Sequence, residues 1–549
     1  MRRAMFSLLS VTLLFMAGCG SQSQNPSPSP IKLPLAVGQF LSLTITDSPP
    51  AGVTVLFFQL SLTGASLNPQ SGQAVSLMSS SNPIPVNLTQ LQTDSAFLLT
   101  ATVILPDLSN SNGQETFNSM SVTFANPQLT IFNGSGATIG SGVNACANNT
   151  VCELTPSTAP LTLTFSSAPF PITLPLSPLA FQLDVHLNTV IQPDLSLNLA
   201  APNGVTLSKL PPPPSGSTIS SIGSLVGTIQ TVPSAGAAPA YDFITLQTGD
   251  GRTLEISLDS NTTYNYPSSV CSANNASCLA VGQIVKVDVS LQDNASGAIL
   301  IGGLLASNIT YIQPAGKTVV EGNIISLSTS GGNTVMVLAL QDFTPPPGPL
   351  GRLASVTVPN SGVTYAVDWG GFAIPSGITF ASASDLAVGQ EVLVTAQGAV
   401  VRGPLPPENP SGWNPADIDG ASLTANSITL EPSQITGVVS AWATPNASTL
   451  TFTLSTYANY FLAPPSTAGA PPTTLPVNLN VQATSATTYA NLTPDDFSGL
   501  AVGDIISVKG WLFPYQVIPA ICKADAGCAP IGVVVAEAVV GWPGPTPLF

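Results

Sequence analysis

Charge is what this chain has least of. Asp, Glu, Lys and Arg make up 7% of its 549 residues, against roughly 25% in an average soluble protein. Ser, Thr, Asn and Gln must therefore furnish most of the polar surface. Basic residues are the scarcest, 11 against 27 acidic ones, for a net charge of −16. Residues 36–209 hold seven acidic side chains and one basic one, Lys209. A nucleic-acid surface needs clustered Lys or Arg to displace counterions from phosphates, so no nucleic-acid partner is expected. His186 is the single histidine, which leaves no His-rich metal cluster and one imidazole for any Ser-His-Asp triad. Long helices have little room among 46 Gly and 52 Pro. Past the N-terminal leader, the best apolar run is Ile531 to Trp542, 12 residues including Glu537, short of the roughly 20 that a membrane span needs. A hydrophobic content of 44% nonetheless excludes a wholly disordered chain.

The N-terminus carries an address. Arg2 and Arg3 precede a largely apolar run, Ala4 to Phe15, and Met16-Ala17-Gly18-Cys19 closes it with small residues. Charge, apolar segment and small-residue cleavage site in that order make a secretory signal. Loss of Arg2 and Arg3 with the leader takes the net charge from −16 to −18. The Cys directly after Ala17-Gly18 resembles the lipobox of bacterial lipoproteins. The resemblance implies that residues 1–18 are removed, that Cys19 is the lipid attachment point, and that the membrane is a partner through this anchor. Gly20 in the next position, rather than Asp, is similar to lipoproteins sent to the outer membrane. Residues 19–35 continue in Ser and Pro, an extended tether.

Six further cysteines fall into three local pairs, Cys146/Cys152, Cys271/Cys278 and Cys522/Cys528. Even counts in an exported chain point to disulfides, and loops this short would each remove about 2 to 2.5 kcal/mol of denatured-state entropy. Free thiols and zinc are the alternatives. Zinc prefers ligands two to four residues apart, a spacing no pair has, so no metal is expected.

The length suggests about three to five domains. In 36–209, Phe40 to Thr46, Val53 to Leu62, Ala96 to Ile104 and Phe117 to Phe124 are rich in β-branched and aromatic residues between turn clusters. Phe181, Leu183, Val185 and Leu187 alternate with Gln182, Asp184, His186 and Asn188, the pattern of a half-buried strand. Together these predict an antiparallel β-sandwich. Asp47-Ser-Pro-Pro50 with the following strand resembles the start of an uncharacterised N-terminal domain found in bacterial lipoproteins, which implies no activity. Residues 210–222, with Pro211 to Pro214, are expected to be a linker.

The rest of the chain repeats. Leu279-Ala-Val-Gly282, Leu386-Ala-Val-Gly389 and Leu500-Ala-Val-Gly503 each follow a Thr-Tyr strand end (Tyr264, Tyr365, Tyr489). Each unit opens with a strand glycine, Gly227, Gly322 or Gly437. Three markers in one order make an internal repeat, here 223–314, 315–432 and 433–549. In the first unit five strands are expected, Leu225 to Val232, Tyr241 to Gln247, Thr253 to Leu258, Ile284 to Leu291 and Ile299 to Ile312. Val285, Val287 and Val289 should face inward, Lys286 and Asp288 outward. In the third unit Thr493 could cap a helical turn between the third and fourth strands. Such a unit resembles the OB-fold barrel and an uncharacterised small-barrel domain repeated in secreted bacterial proteins. The expected fold class is all-β, a sandwich followed by three OB-like five-stranded barrels. The Leu-Ala-Val-Gly element should be a glycine turn whose Leu and Val plug the barrel end.

Chemistry is sparse. There is no Gly-x-Ser-x-Gly elbow and no phosphate-cradling loop. Asp417/Asp419, similar to the opening of a calcium loop, and Asp495/Asp496 are the carboxylate pairs close enough in sequence for glycoside hydrolysis, but the first lacks the further ligands and reads as a solvated turn, and the second fits a helix N-terminus. No catalytic residue and no cofactor is therefore assigned. Of five tryptophans, Trp413 and Trp442 sit among Gly, Pro or Asn and are the candidates for exposed binding surfaces. The expectation is a non-enzymatic, lipid-anchored lipoprotein of the cell envelope: a scaffold, spacer or adhesion module with a glycan or envelope protein as partner. Carbohydrate binding by barrel aromatics is the alternative, and a glycan hydrolase with paired carboxylates the second.

Overall fold

A computed structural model describes most of residues 39–541; outside it lie 1–38, 90–98, 104–114, 211–217, 234–241, 293–303, 345–350, 398–420, 443–449, 457–477, 517–530, 542–549 and shorter stretches. The fold is all-β, a two-sheet sandwich followed by three barrels of one design. No helix among the described residues is long and apolar enough to cross a membrane.

In the sandwich, one sheet orders Val205–Leu210, Leu179–Val185, Gln39–Asp47 and Leu99–Val103 side by side. The other is built on two long strands, Val53–Pro69 and Glu115–Asn133. These outrun the expected segments because four register shifts, the first between Val55 and Phe57, let the chain pass its turn-forming residues without leaving the sheet. All pairings are antiparallel except Gln39–Asp47 with Leu179–Val185. Phe58, Phe117 and Phe124 from one sheet and Phe181, Leu183 and Val185 from the other share one apolar core, with Phe170 stacked on Phe181 at 5.8 Å. The strand alternation stops sooner than the pattern implied. Leu187–Val190 is a single helical turn.

Each barrel has a meander of three antiparallel strands, closed by a fifth strand that runs parallel to the third and antiparallel to the fourth. In barrel 1 the strands are Leu225–Thr231, Asp242–Thr248, Thr253–Leu258, Ile284–Gln292 and Leu304–Gln313. In barrel 2 they are Thr318–Ser330, Asn333–Thr344, Leu353–Val358, Glu391–Gln397 and Ala421–Glu431. In barrel 3 they are Ser433–Trp442, Leu450–Thr456, Asn478–Ala483, Ile505–Gln516 and Ile531–Gly541. The run Ile531 to Trp542 thus supplies a closing strand. Each Thr-Tyr element is a short extra strand parallel to the fifth. Thr218–Ser221, inside the expected linker, pairs with the fourth strand of barrel 1, so the connection is shorter than its composition suggested.

Two glycine positions explain the repeat. A Cβ on Gly227 would lie 2.6 Å from the carbonyl oxygen of Gln247 on the second strand, and Gly322 and Gly437 are packed against Ala339 and Ser455 in the same way. A register shift follows within four residues in all three barrels, so the first strand coils tightly enough to pair on both edges. The second position is the turn glycine, left-handed at Gly282 (φ 87°), Gly389 (94°) and Gly503 (93°). Each turn is clamped to the first strand: Gly282, Gly389 and Gly503 donate their N–H to the carbonyls of Ile229, Ile324 and Val439 at 2.8 Å. The side chains of Gln283, Gln390 and Asp504 fold back to accept from Ala280, Ala387 and Ala501 N–H at 2.9, 2.7 and 2.8 Å. Leu279, Leu386 and Leu500 plug the barrel end as expected. In barrels 1 and 3 the valine does not: Val281 is 60% and Val502 54% exposed, because the left-handed turn points it away from the core, whereas Val388 of barrel 2 is half-buried against a neighbouring apolar cluster.

Between the third and fourth strands each barrel carries one 3-10 turn, Ala276–Cys278, Ala383–Asp385 and Phe497–Gly499. The last is capped by Asp496, whose carboxylate accepts from Ser498 N–H, and not by Thr493. Disulfides join Cys146 to Cys152 and Cys271 to Cys278, with Cα atoms 5.8 and 5.6 Å apart. Cys522 and Cys528 lie outside the described residues.

The units interlock. Gln341 of barrel 2 reaches the sandwich, donating to the Leu56 carbonyl and accepting from Asn87 Nδ2 at 2.8 Å. Thr130 donates to the Gly351 carbonyl, and Leu353 N–H to Glu153 at 3.1 Å. Gln390 of barrel 2 donates to the Leu512 carbonyl of barrel 3 at 2.9 Å. Gly322→Ala should destabilise the chain by about 1 to 3 kcal/mol through overpacking, whereas Val281→Ala should stay within about 0.5 kcal/mol. Denaturant unfolding of both variants checks this, and a neutral Gly322→Ala would refute the close-approach account.

Candidate functional site

The barrels follow one another with almost no slack. Glu431 ends barrel 2, Pro432 intervenes, and Ser433 starts barrel 3; four residues, 314–317, join barrels 1 and 2. Within barrel 2, Val320, Val392 and Leu430 point into the core. Strand alternation therefore sends their neighbours Glu321, Glu391 and Glu431 to the outer face. On an isolated barrel that face would be wet. Here barrels 1 and 3 cover it, and a cleft of about 520 Å³ remains where the three meet.

Barrel 1 contributes Lys286 and Asp288, from the outward face expected for them, and barrel 3 contributes Lys509, Trp511 and Glu537. Lys286 Nζ sits 2.5 Å from Asp368 Oδ2 and 2.7 Å from Glu431 Oε2. Asp368 follows the short strand Thr364–Val367, and its backbone carbonyl accepts from Trp511 Nε1 at 2.7 Å. Trp511 is fully buried, with the Trp369 ring 5.0 Å and the Phe372 ring 5.3 Å away. One peptide of barrel 2 is thus gripped from both sides. Glu391 stands directly opposite Glu431 in the ladder and shares a side-chain hydrogen bond with Glu321. Lys509 Nζ lies 3.5 Å from Glu537. Asp288 accepts from Ser224 at 2.6 Å and from Asn308 at 3.1 Å.

Six carboxyl groups and two ammonium groups line this cleft, and their protonation follows from that imbalance. Burial opposes the charge on Lys286, but Glu431, Asp368 and Glu321 outweigh it and hold the ammonium well above its usual pKa. Burial pushes Glu431 up, partly offset by Lys286, to about 8. Burial and then the neighbouring Glu321 and Glu431 push Glu391 well above the carboxylate range, and Glu321 is raised mainly by burial. Asp368 goes the other way. Burial raises it, yet Lys286 and the Gly370 N–H prevail and it is lowered.

The residues singled out from sequence are not brought together here. Cys19, Trp413, His186, Asp417 and Asp419 lie outside the described residues. Trp442 ends the first strand of barrel 3, its side chain likewise outside. Asp495 accepts from Leu492 N–H and Asp496 caps the 3-10 turn, so that exposed pair shapes a loop. Among the described residues no group of three or more His, Cys, Asp or Glu side chains is arranged to hold a metal ion.

The charged cleft escaped sequence reasoning because its members lie far apart in the chain, Lys286 and Glu431 by 145 residues. One signal was present. Aligned on the repeat, Glu321 stands where Val226 and Thr436 stand, and Glu391 where Ile284 and Ile505 stand. A charge replacing an apolar or neutral residue at an equivalent strand position, in a chain with so few charges, marks a face with a special partner.

Lys286→Ala should leave the Asp368 carboxylate without its cation and Glu431 without its hydrogen-bond donor, a loss of about 3 to 5 kcal/mol for a broken buried pair. Adding Glu431→Gln should restore part of it, and a double-mutant cycle by thermal or urea unfolding measures the coupling. Additive effects would mean that the pair holds nothing.

No family model matches this chain, and no curated protein matches it. Among solved structures, one described as "drosophila Unr CSD456" is similar over 58% of this chain and 97% of its own, at 11% identity and a TM-score of 0.13. A TM-score that low carries no argument, so the barrel assignment rests on the strand pairings themselves.

Proposed function

We propose that this chain is an exported lipoprotein, held at the cell envelope through Cys19 and most consistent with the outer membrane, that serves as a non-enzymatic scaffold or binding module of fixed shape. The supporting observation is the interlocking of its units. Beads on a string would need flexible linkers. Here one residue separates barrels 2 and 3, and buried polar contacts tie the sandwich to barrel 2 and barrel 2 to both neighbours. The carboxylates of the cleft are assigned to holding barrels together rather than to hydrolysis, since Asp368 and Glu431 are both occupied by Lys286. The Ser/Pro stretch at 19–35 would set this body off the membrane. Metabolic labelling with a fatty-acid analogue tests the anchor. Label should enter the wild type and vanish from Cys19→Ala, with the variant released into the soluble fraction; equal labelling of both would defeat the assignment.

Carbohydrate binding is the second reading. It is favoured by the walls of the cleft, where Ser224, Thr263, Asn265, Asn308, Thr310 and Gln434 offer neutral donors and acceptors that suit sugar hydroxyls. Neutral oligosaccharides should then change tryptophan fluorescence. If Asn308→Ala abolishes the change, the cleft is the site; if Trp413→Ala or Trp442→Ala does, the outer aromatics are. Silence across a glycan array would leave the scaffold role alone.

A further inference from the structure

Glu321, Glu391 and Glu431 occupy the first, fourth and fifth strands of barrel 2, neighbours in the sheet, on a face that barrels 1 and 3 cover. Glu391 and Glu431 are cross-strand partners, a placement that is destabilising for two like charges. Two carboxylates can share a hydrogen bond, as Glu321 and Glu391 do, only when one of them carries a proton. The surrounding charges do not remove this need. Barrel 1 offers Lys286, already shared by Glu431 and Asp368, and Asp288, held by Ser224 and Asn308. Barrel 3 offers Lys509, beside Glu537. In barrel 2, Asp342 is the ladder partner of Glu321. Asp342 turns its carboxylate to Gly249 of barrel 1 instead, so in the cleft itself two cations face six carboxyl groups.

We infer that the barrel junction is a proton-locked hinge: barrels 1 and 3 stay closed on barrel 2 while its outer-face glutamates retain protons, and the cleft opens when alkaline conditions remove them. This goes beyond the scaffold reading, since it makes the angle between barrels respond to the medium.

The direction follows from linkage. A carboxyl that holds its proton more tightly folded than unfolded contributes stability at acid pH, which is lost as pH rises through the folded value. Glu431, at about 8, and the raised Glu391 and Glu321 all act in this sense. Asp368, being lowered, contributes in the opposite sense, but its loss comes only in acid. Lys286 stays charged throughout. Between about pH 5 and pH 9 the junction should therefore weaken.

The test is calorimetry and small-angle scattering of the full chain at pH 6 and pH 9. The wild type should lose about 4 °C or more in melting temperature and gain radius of gyration at pH 9. Glu391→Gln, which mimics the protonated acid, should cut both changes by half or more, and Glu321→Gln supplies the same comparison should Glu391→Gln fold poorly. Glu115→Gln, which removes equal charge from the sandwich, should keep the wild-type response. A wild type unchanged between the two pH values would overturn the inference. So would a fall of wild-type size in both glutamine variants of the cleft, or one equally reduced in Glu115→Gln.

Discussion

Lys286 Nζ, set between Glu431 Oε2 and Asp368 Oδ2, is the contact through which the barrels become one object. It reaches from barrel 1 into the face of barrel 2, next to the peptide that Trp511 of barrel 3 grips through the Asp368 carbonyl. An ammonium in this setting is costly to desolvate, and its attraction to the Asp368 carboxylate with its hydrogen bond to Glu431 offsets that cost only if the geometry is held. Tight connections supply it. With Pro432 alone between barrels 2 and 3, the two strand ends stay adjacent and any opening must pivot about that residue, and Gln390 secures the same seam through the Leu512 carbonyl.

Low charge density gives these few ions their meaning. A chain that builds its surface from Ser, Thr and Asn has little need of Glu for solubility, yet six carboxyl groups and two ammonium groups gather in one cleft. Apolar packing alone would hold barrels together, as Val226, Ile284, Val319 and Leu393 do beside the cleft. Such patches are non-directional, and barrels of one topology could dock on each other in several ways. Charges placed on unique members of the repeat, Glu321 and Glu391 in barrel 2 and Lys286 in barrel 1, distinguish otherwise similar faces.

Much of the architecture was legible locally. Strand alternation, glycine turns and the recurring Leu-Ala-Val-Gly element located the barrels and most strands of the first, since each signal is written within about ten residues and concerns side chains that face their own core. The pairings Cys146–Cys152 and Cys271–Cys278 were legible for the same reason. Local reading failed where position in a turn or sheet decides exposure. Val281 and Val502 look like core residues by type, and a left-handed glycine beside them turns them to solvent. Thr493 looked like a cap, but Asp496 lies at the position from which an oxygen reaches the free N–H.

By itself the sequence determined the all-β class, the threefold repeat and the residues that point inward, because period-two alternation and glycine placement act over a few residues. It also carries the Arg2-to-Cys19 pattern on which the proposed envelope assignment depends. Only the tertiary structure decided what the outward residues meet. Glu321, Glu391 and Glu431 read as ordinary solvated strand positions until neighbouring barrels close over them. Burial, and the charges it brings within a few ångströms, then set their protonation, because electrostatic energy depends on distance and solvent exclusion rather than on separation along the chain.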